Sequence, residues 1–348
     1  MSNRRFILVV SLMSVFTPVV GQSVEEEVAT HSVAPWPIVI AHRGASGYLP
    51  EHTTESAVLA HAMGADYIEQ DCVLSKDNVP VVLHDITLDA VSNVADIFPD
   101  RRRADRHWYA FDFTLEELRQ LNVQERHGQT GSSRFPGDKG HFQIATLREH
   151  VELIRGLDHS RNTATGLYIE LKQPQRHHSE GFDLATEVLK VLNEFELNRS
   201  DDHVFLQCFE EKELLRLRVD LKCHLPLIQL LKRPPTAEQI REHARIVDGL
   251  GVSINCVISG MSNDNDPQPI FTDVIRLAHE NAMQVHVWTV RVDHLPMFAE
   301  SVDQLLDWLV QDSGADGIFS DHPDAVVRWR ASTSPKSKSG PFQLIRQR

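Results

Sequence analysis

The sequence predicts an α/β fold: a closed TIM (β/α)8 barrel with a β-hairpin excursion and a long insertion after the second barrel strand. Three observations predict it. Apolar, strand-like runs alternate with helix-like stretches along the body of the chain, which implies a parallel sheet with helices outside it. The runs number nine, one more than a closed barrel of this kind uses. Two of them are separated only by Ser75-Lys76-Asp77-Asn78, far too short for a parallel crossover. That pair must therefore be an antiparallel hairpin, and its second run leaves the barrel.

Residues 1–21 read as a signal peptide. Arg4-Arg5 make a positive start, residues 6–16 an apolar run too short to span a bilayer, and small residues precede a cleavage point before Gln22. Export follows, to a periplasm or the exterior, with no integral membrane segment left after cleavage. Residues 22–35 read as a linker. The barrel domain covers residues 36–330, and residues 331–348, rich in Ser, Lys and Pro, read as a disordered tail.

Within the domain the expected strands are 38–42, 66–72, 80–84, 166–172, 204–209, 225–230, 246–252, 284–290 and 316–320. Run 80–84 is the excursion. Helix-like stretches follow the others, among them 54–64, 181–195, 210–221, 236–245, 271–282 and 301–311. Residues 86–145 have no clean period. They hold Trp108, Tyr109 and Phe111, and read as a cap over the catalytic face that shapes the substrate pocket.

Composition narrows the function. At 348 residues with 41% hydrophobic side chains, the chain can bury the core of one large barrel with an insertion. A formal net charge of −14 with no basic stripe excludes nucleic acid as a partner. An anionic substrate must be drawn in by a local cation. The four cysteines, Cys72, Cys208, Cys223 and Cys256, have no zinc-like spacing; Cys72 and Cys208 fall in strands and read as buried thiols, and pairing stays open.

The polar residues gather at strand ends, where α/β folds place their chemistry. His42-Arg43-Gly44 ends the first run, Glu69-Gln70-Asp71 the second and His84-Asp85 the third. Glu69 and Asp71 alternate along a strand, so they share a side. Glu170 interrupts another apolar strand, with Lys172 on the same side to neutralise it or contact a phosphate. Three acids with no thiolate or imidazole suit a hard cation, Ca²⁺ or Mg²⁺. His42 and His84 can share acid and base work. Arg43 suits a phosphate, and the small residues after it would let backbone N–H groups approach an anion. Asp85 either orients a neighbour or caps a turn. Gln207 is a candidate polar group of the pocket, Trp288 a candidate wall for a small polyol, and His177-His178 candidate substrate contacts. Asp321, just before His322-Pro323, reads as the cap of the following helix. The sum is a metal-assisted phosphodiesterase.

Residues 38–52 (IVIAHRGASGYLPEH), 64–71 (GADYIEQD), 81–85 (VVLHD), 168–172 (YIELK), 207–209 and 288–291 together resemble the glycerophosphodiester phosphodiesterases, and most of all their exported, periplasmic-type branch. Residues 94–121 resemble that branch's insertion. The resemblance implies a TIM barrel that hydrolyses small-molecule glycerophosphodiesters to glycerol 3-phosphate and an alcohol. It implies His42 and His84 as the acid/base pair, with His42 taken as base, and Arg43 as the phosphate arginine. It implies Glu69, Asp71 and Glu170, beside Lys172, as ligands of one divalent cation, Ca²⁺ favoured and Mg²⁺ possible. The attacking group is water or the glycerol 2-hydroxyl. The chain departs from the branch after Gln229: residues 232–265 are shorter, and 259–266 read as a polar loop, which leaves the alcohol preference open.

Two rival expectations stand beside this one. A secreted phospholipase D-like enzyme acting on lysophospholipids or sphingomyelin would use the same acids and histidines and would need a membrane-contacting apolar loop, for which Trp108, Tyr109 and Phe111 are the candidates. A non-enzymatic surface binding protein would have no need of the intact constellation.

Overall fold

A computed structural model describes residues 36–126, 134–137 and 139–333. The expected signal peptide and linker lie outside the described residues, as does the tail from residue 334. The last helix, Pro323–Ser332, runs past the expected start of that tail.

The barrel is built from β1 (Ile38–Ala41), β2 (Tyr67–Leu74), β4 (Gly166–Leu171), β5 (Val204–Cys208), β6 (Leu227–Leu231), β7 (Gly249–Ser253), β10 (Gln284–Val290) and β11 (Gly317–Ser320). All pair in parallel in that order, and β1 closes on both β11 and β2. β3 (Pro80–Val82) returns antiparallel along β2, pairing Cys72 with Val82 and Leu74 with Pro80. The excursion is thus the expected hairpin. Asn78, at φ 60°, and the Ser75 hydroxyl, which accepts from Val79 N, make its turn. Its consequence is positional. Leu83 N donates to Asp71 O, so the returning chain sets His84 beside the acidic end of β2.

Two layers hold the barrel. Ile40, Tyr168, Phe205, Ile228 and Phe319 fill its centre. A larger apolar layer lies between strands and helices, typified by Val188 and Leu192 on the amphipathic helix Leu184–Glu194. The helix Leu147–Arg161, started by a Thr146/Glu149 capping box, closes the second βα unit after the insertion.

Two stretches differ from expectation. The expected loop at 259–266 lies within a small antiparallel ribbon, β8 (Ile258–Met261) with β9 (Pro269–Phe271). The insertion has a core of its own: Trp108, Tyr109 and Phe111 are buried with Phe113, Leu118 and Leu121 against Val73 and Val81 of the hairpin. These aromatics cover the hairpin's outer face, and each is less than a tenth exposed. All four cysteines are free and buried.

Candidate active site

Sheet register assembles the acids. Asp71 on β2 lies opposite Glu170 on β4, and Glu170 opposite Gln207 on β5. Glu69, two residues before Asp71, points to the same side. The carboxylates of Glu69, Asp71 and Glu170 offer oxygens within 4.8 Å of one another, and all three residues are buried. Lys172 Nζ sits 2.7 Å from Glu170 and 3.9 Å from Asp71, so it offsets part of the cluster's charge. Gln207 donates through Nε2 to Glu69 at 2.8 Å, which commits its amide to the cluster.

One lysine does not balance three buried carboxylates. Burial, with Asp71 and Glu170 close by, pushes Glu69 well above the usual carboxylate range. Burial pushes Glu170 up to about 8, Lys172 opposing and Asp71 adding. For Asp71 burial also opposes ionisation, but Lys172 and His52 outweigh it and hold the group well below its ordinary value. Asp71 Oδ1 is buried with no hydrogen-bond partner. An all-oxygen donor set that repels itself and leaves an oxygen unsatisfied fits a hard divalent cation.

The histidines flank this cluster, each with its own aspartate. His42 Nδ1 lies 2.6 Å from Asp321 Oδ1, and His84 Nδ1 lies 2.6 Å from Asp85 Oδ1. Both arrangements leave Nε2 for the cavity; that of His42 is 3.8 Å from Glu69. Burial, and then Arg43, lowers each imidazole to about 4 against the pull of its aspartate. Burial would raise both aspartates, yet each is held below the usual range, Asp85 by His84 and Arg126, Asp321 by His42, Arg291 and Arg134.

Asp321 therefore does not cap the last helix. His322 takes that position without a side-chain bond, because closure of β1 on β11 turns Asp321 toward His42. Asp85 has the orienting role of its two expected ones. The glycines after Arg43 also behave otherwise than expected. The N–H groups of Gly44, Ala45 and Gly47 are each taken by backbone carbonyls. Gly44, at φ 82°, is needed for its left-handed backbone, and a Cβ on Gly47 would sit 2.3 Å from the His322 ring. Arg43 itself donates its backbone N to Glu69 and Nη1 to Glu51.

A cavity of about 870 Å³ opens over these groups. His42, Arg43, His84, the three acids, Lys172, Gln207 and Trp288 all line it, so these nine expected site residues come together there. Trp288 meets Phe209 edge-on, with ring centroids 6.0 Å apart. Two expected contributions to the lining are not found among the described residues. His177 accepts from Leu74 N beneath the hairpin, and neither it nor His178 lines the cavity. Among the described residues, the insertion lines none of it either. Glu125, Arg126 and Arg134 instead border a smaller space behind His42 and Arg43.

Sequence reasoning missed Glu51, His52, Arg126, Arg134 and Arg291. His52 Nε2 lies 2.8 Å from Asp71 Oδ2. Glu51 and His52 close the 38–52 motif, so their presence was a signal; the insertion arginines had none.

Residues 42–325 match the model of the Glycerophosphoryl diester phosphodiesterase family. A glycerophosphodiester phosphodiesterase of Haemophilus influenzae is 37% identical over 84% of this chain and 89% of its own length. One from Treponema pallidum is 32% identical over 84% and 91%. In fold, a putative glycerophosphoryl diester phosphodiesterase from Silicibacter pomeroyi superposes with a TM-score of 0.64 at 22% identity, covering 86% of this chain and 94% of its own. Matched along nearly the whole barrel by the family model and by two relatives above 30% identity, the chain belongs to the glycerophosphoryl diester phosphodiesterase family.

Proposed function

We propose that this protein hydrolyses glycerophosphodiesters to glycerol 3-phosphate and an alcohol, in glycerophospholipid and glycerol metabolism, with a divalent cation and two histidines. The observation that carries the reading is the convergence in one cavity of three crowded carboxylates, an arginine and two aspartate-backed histidines. Glu69, Asp71 and Glu170 would hold the cation, Ca²⁺ favoured over Mg²⁺. When bound, it supplies positive charge beside the phosphate, where negative charge grows in the transition state.

This chain's own groups do the rest. Arg43 contributes a second positive charge on the wall that holds the histidines. Lys172 and His52 keep Asp71 ionised. One imidazole accepts the proton of the attacking hydroxyl through Nε2, and the other, protonated to the imidazolium when the anionic phosphate binds beside it, donates its Nε2 proton to the departing alkoxide. His42, whose Nε2 lies 3.8 Å from Glu69, is taken as the base. Trp288 and Phe209 supply an apolar wall for the carbon face of the glycerol.

We further propose export, supported by Arg4-Arg5 and the apolar run 6–16. Burial of Trp108, Tyr109 and Phe111 removes the feature that favoured a membrane-contacting phospholipase.

The deciding experiment is product analysis on glycerophosphocholine with and without EDTA. Glycerol 3-phosphate plus choline, lost with chelator and restored by Ca²⁺ or Mg²⁺, is the expected result. Phosphocholine plus glycerol would overturn the bond assignment, and full activity in metal-free protein would overturn the cation.

A further inference from the structure

Two arginines of the insertion repeat one pattern. Arg126 grips Glu51 with two donors, Nε at 2.9 Å and Nη2 at 2.5 Å, and sends Nη1 to Asp85 Oδ2 at 2.5 Å. Arg134 grips Asp293 with two donors, Nε at 2.6 Å and Nη2 at 2.9 Å, and sends Nη1 to Asp321 Oδ2 at 2.8 Å. Asp85 and Asp321 are the two aspartates whose other oxygen holds a histidine Nδ1. Both guanidiniums are nearly buried, at 8% and 7% side-chain exposure.

We propose that the insertion is a positioning device for both histidines: Arg126 orients His84 through Asp85, and Arg134 orients His42 through Asp321. This rests on the acid/base roles proposed above for His42 and His84.

The physical reasoning starts from the aspartate. A carboxylate bonded through one oxygen can still rotate about its last torsion, which is broad. A second bond to Oδ2 from a planar fork anchored elsewhere removes that freedom. Oδ1 then faces the ring at a fixed angle, which sets the tautomer and aims Nε2 into the cavity. The anchors differ in kind. Glu51 also accepts from Arg43, so Arg126 ties His84 to the phosphate arginine. Asp293 lies on the segment after β10, so Arg134 ties His42 to the cavity rim, helped by Arg291, whose Nε also reaches Asp321 at 2.8 Å. Among the described residues no insertion residue lines the main cavity, whereas Asp85 does, so these arginines act through the aspartates and not on substrate.

The test uses the full-length protein with Arg126→Ala and Arg134→Ala, folding checked by circular dichroism. Each should lower kcat on glycerophosphocholine by about 10- to 100-fold, as small misplacements of reacting groups do. KM should move by less than about threefold. Free guanidinium should restore part of kcat in both. With the p-nitrophenyl ester of glycerol phosphate, the loss should largely vanish in one variant and persist in the other, because a good leaving group needs no general acid. Arg126→Gln and Arg134→Gln, each keeping a donor, stand in with the same expectations where an alanine variant does not fold. Undiminished kcat in both variants would overturn the inference, as would losses equal on the two esters and untouched by guanidinium. A wild-type protein that releases no glycerol 3-phosphate would instead overturn the proposed reaction.

Discussion

At the scale of single residues the site depends on charges buried close together, and each has a measurable consequence. His42→Ala and His84→Ala should each lower kcat by at least ~10²-fold with the fold retained, the usual worth of a positioned acid or base. Steady-state kinetics with a thermal melt checks this. Loss of less than tenfold in either variant would remove that histidine from proton transfer. His286 gives a prediction about stability. It is fully buried at the barrel centre, between the Tyr168 hydroxyl and Gln284, and burial lowers it to about 4 from 6.5. The unfolded chain therefore binds more protons between those values. Stability is complete above about pH 6.5 and falls as the pH drops toward 4, by up to on the order of 3 kcal/mol for this group. His286→Gln should show a shallower loss than wild type between pH 7 and 4.5 in urea unfolding. Equal slopes would mean that the ring is not neutral in the fold.

Among the elements, the insertion separates structure from substrate. Its aromatic core packs on the β2–β3 hairpin, and that hairpin carries His84 to the end of β2. Phe113 is fully buried in this core, with Arg101 over its ring at 4.4 Å. Phe113→Ala should cost about 3–5 kcal/mol, the range for a large buried aromatic. Because the hairpin sets His84, kcat should fall in the variant even below its unfolding transition, while KM changes little. Denaturant titration and kinetics on one preparation would show it. A destabilised variant of normal kcat would mean that the hairpin keeps its position without the insertion.

For the whole molecule, charge and pocket shape decide what is accepted. With a net charge of −14, the field repels an anionic ester until it reaches Arg43. Raising ionic strength should therefore increase kcat/KM for glycerophosphoglycerol, an anion, and leave the zwitterion glycerophosphocholine nearly unchanged. Parallel falls with salt would point to a local attractive field instead. Selectivity should follow the walls. Trp288 and Phe209 form a built corner of the cavity, whereas Lys232 and Met297 leave its rim exposed. Choline, ethanolamine, glycerol and inositol esters should then differ little in kcat/KM at fixed high salt. Replacing the glycerol by an alkyl group should cost much more. Strong head-group preference with alkyl analogues tolerated would reverse the pocket's orientation.

The amino-acid sequence by itself determined the barrel, the hairpin and the chemical inventory. Short continuous apolar runs dictate strands, a four-residue gap forbids a crossover, and Glu170 interrupting one run while His42 and His84 end two others marks a polar cavity at the strand ends. Those signals are local, so they are legible in one dimension. Only the tertiary structure decided how the inventory is wired. Asp321 lies 279 residues from His42, and its place before Pro323 makes a helix cap the natural local reading. Closure of β1 on β11 overrides it. Arg126 and Arg134 sit in a segment without periodicity, and their carboxylate partners, Glu51, Asp85, Asp293 and Asp321, come from four other parts of the chain. The aromatics of the insertion read as part of a pocket cap or as a membrane-contacting loop until the hairpin face they cover is known. Which side of an apolar group meets protein, and which aspartate meets which histidine, are long-range facts: they follow from barrel closure, which no local pattern encodes.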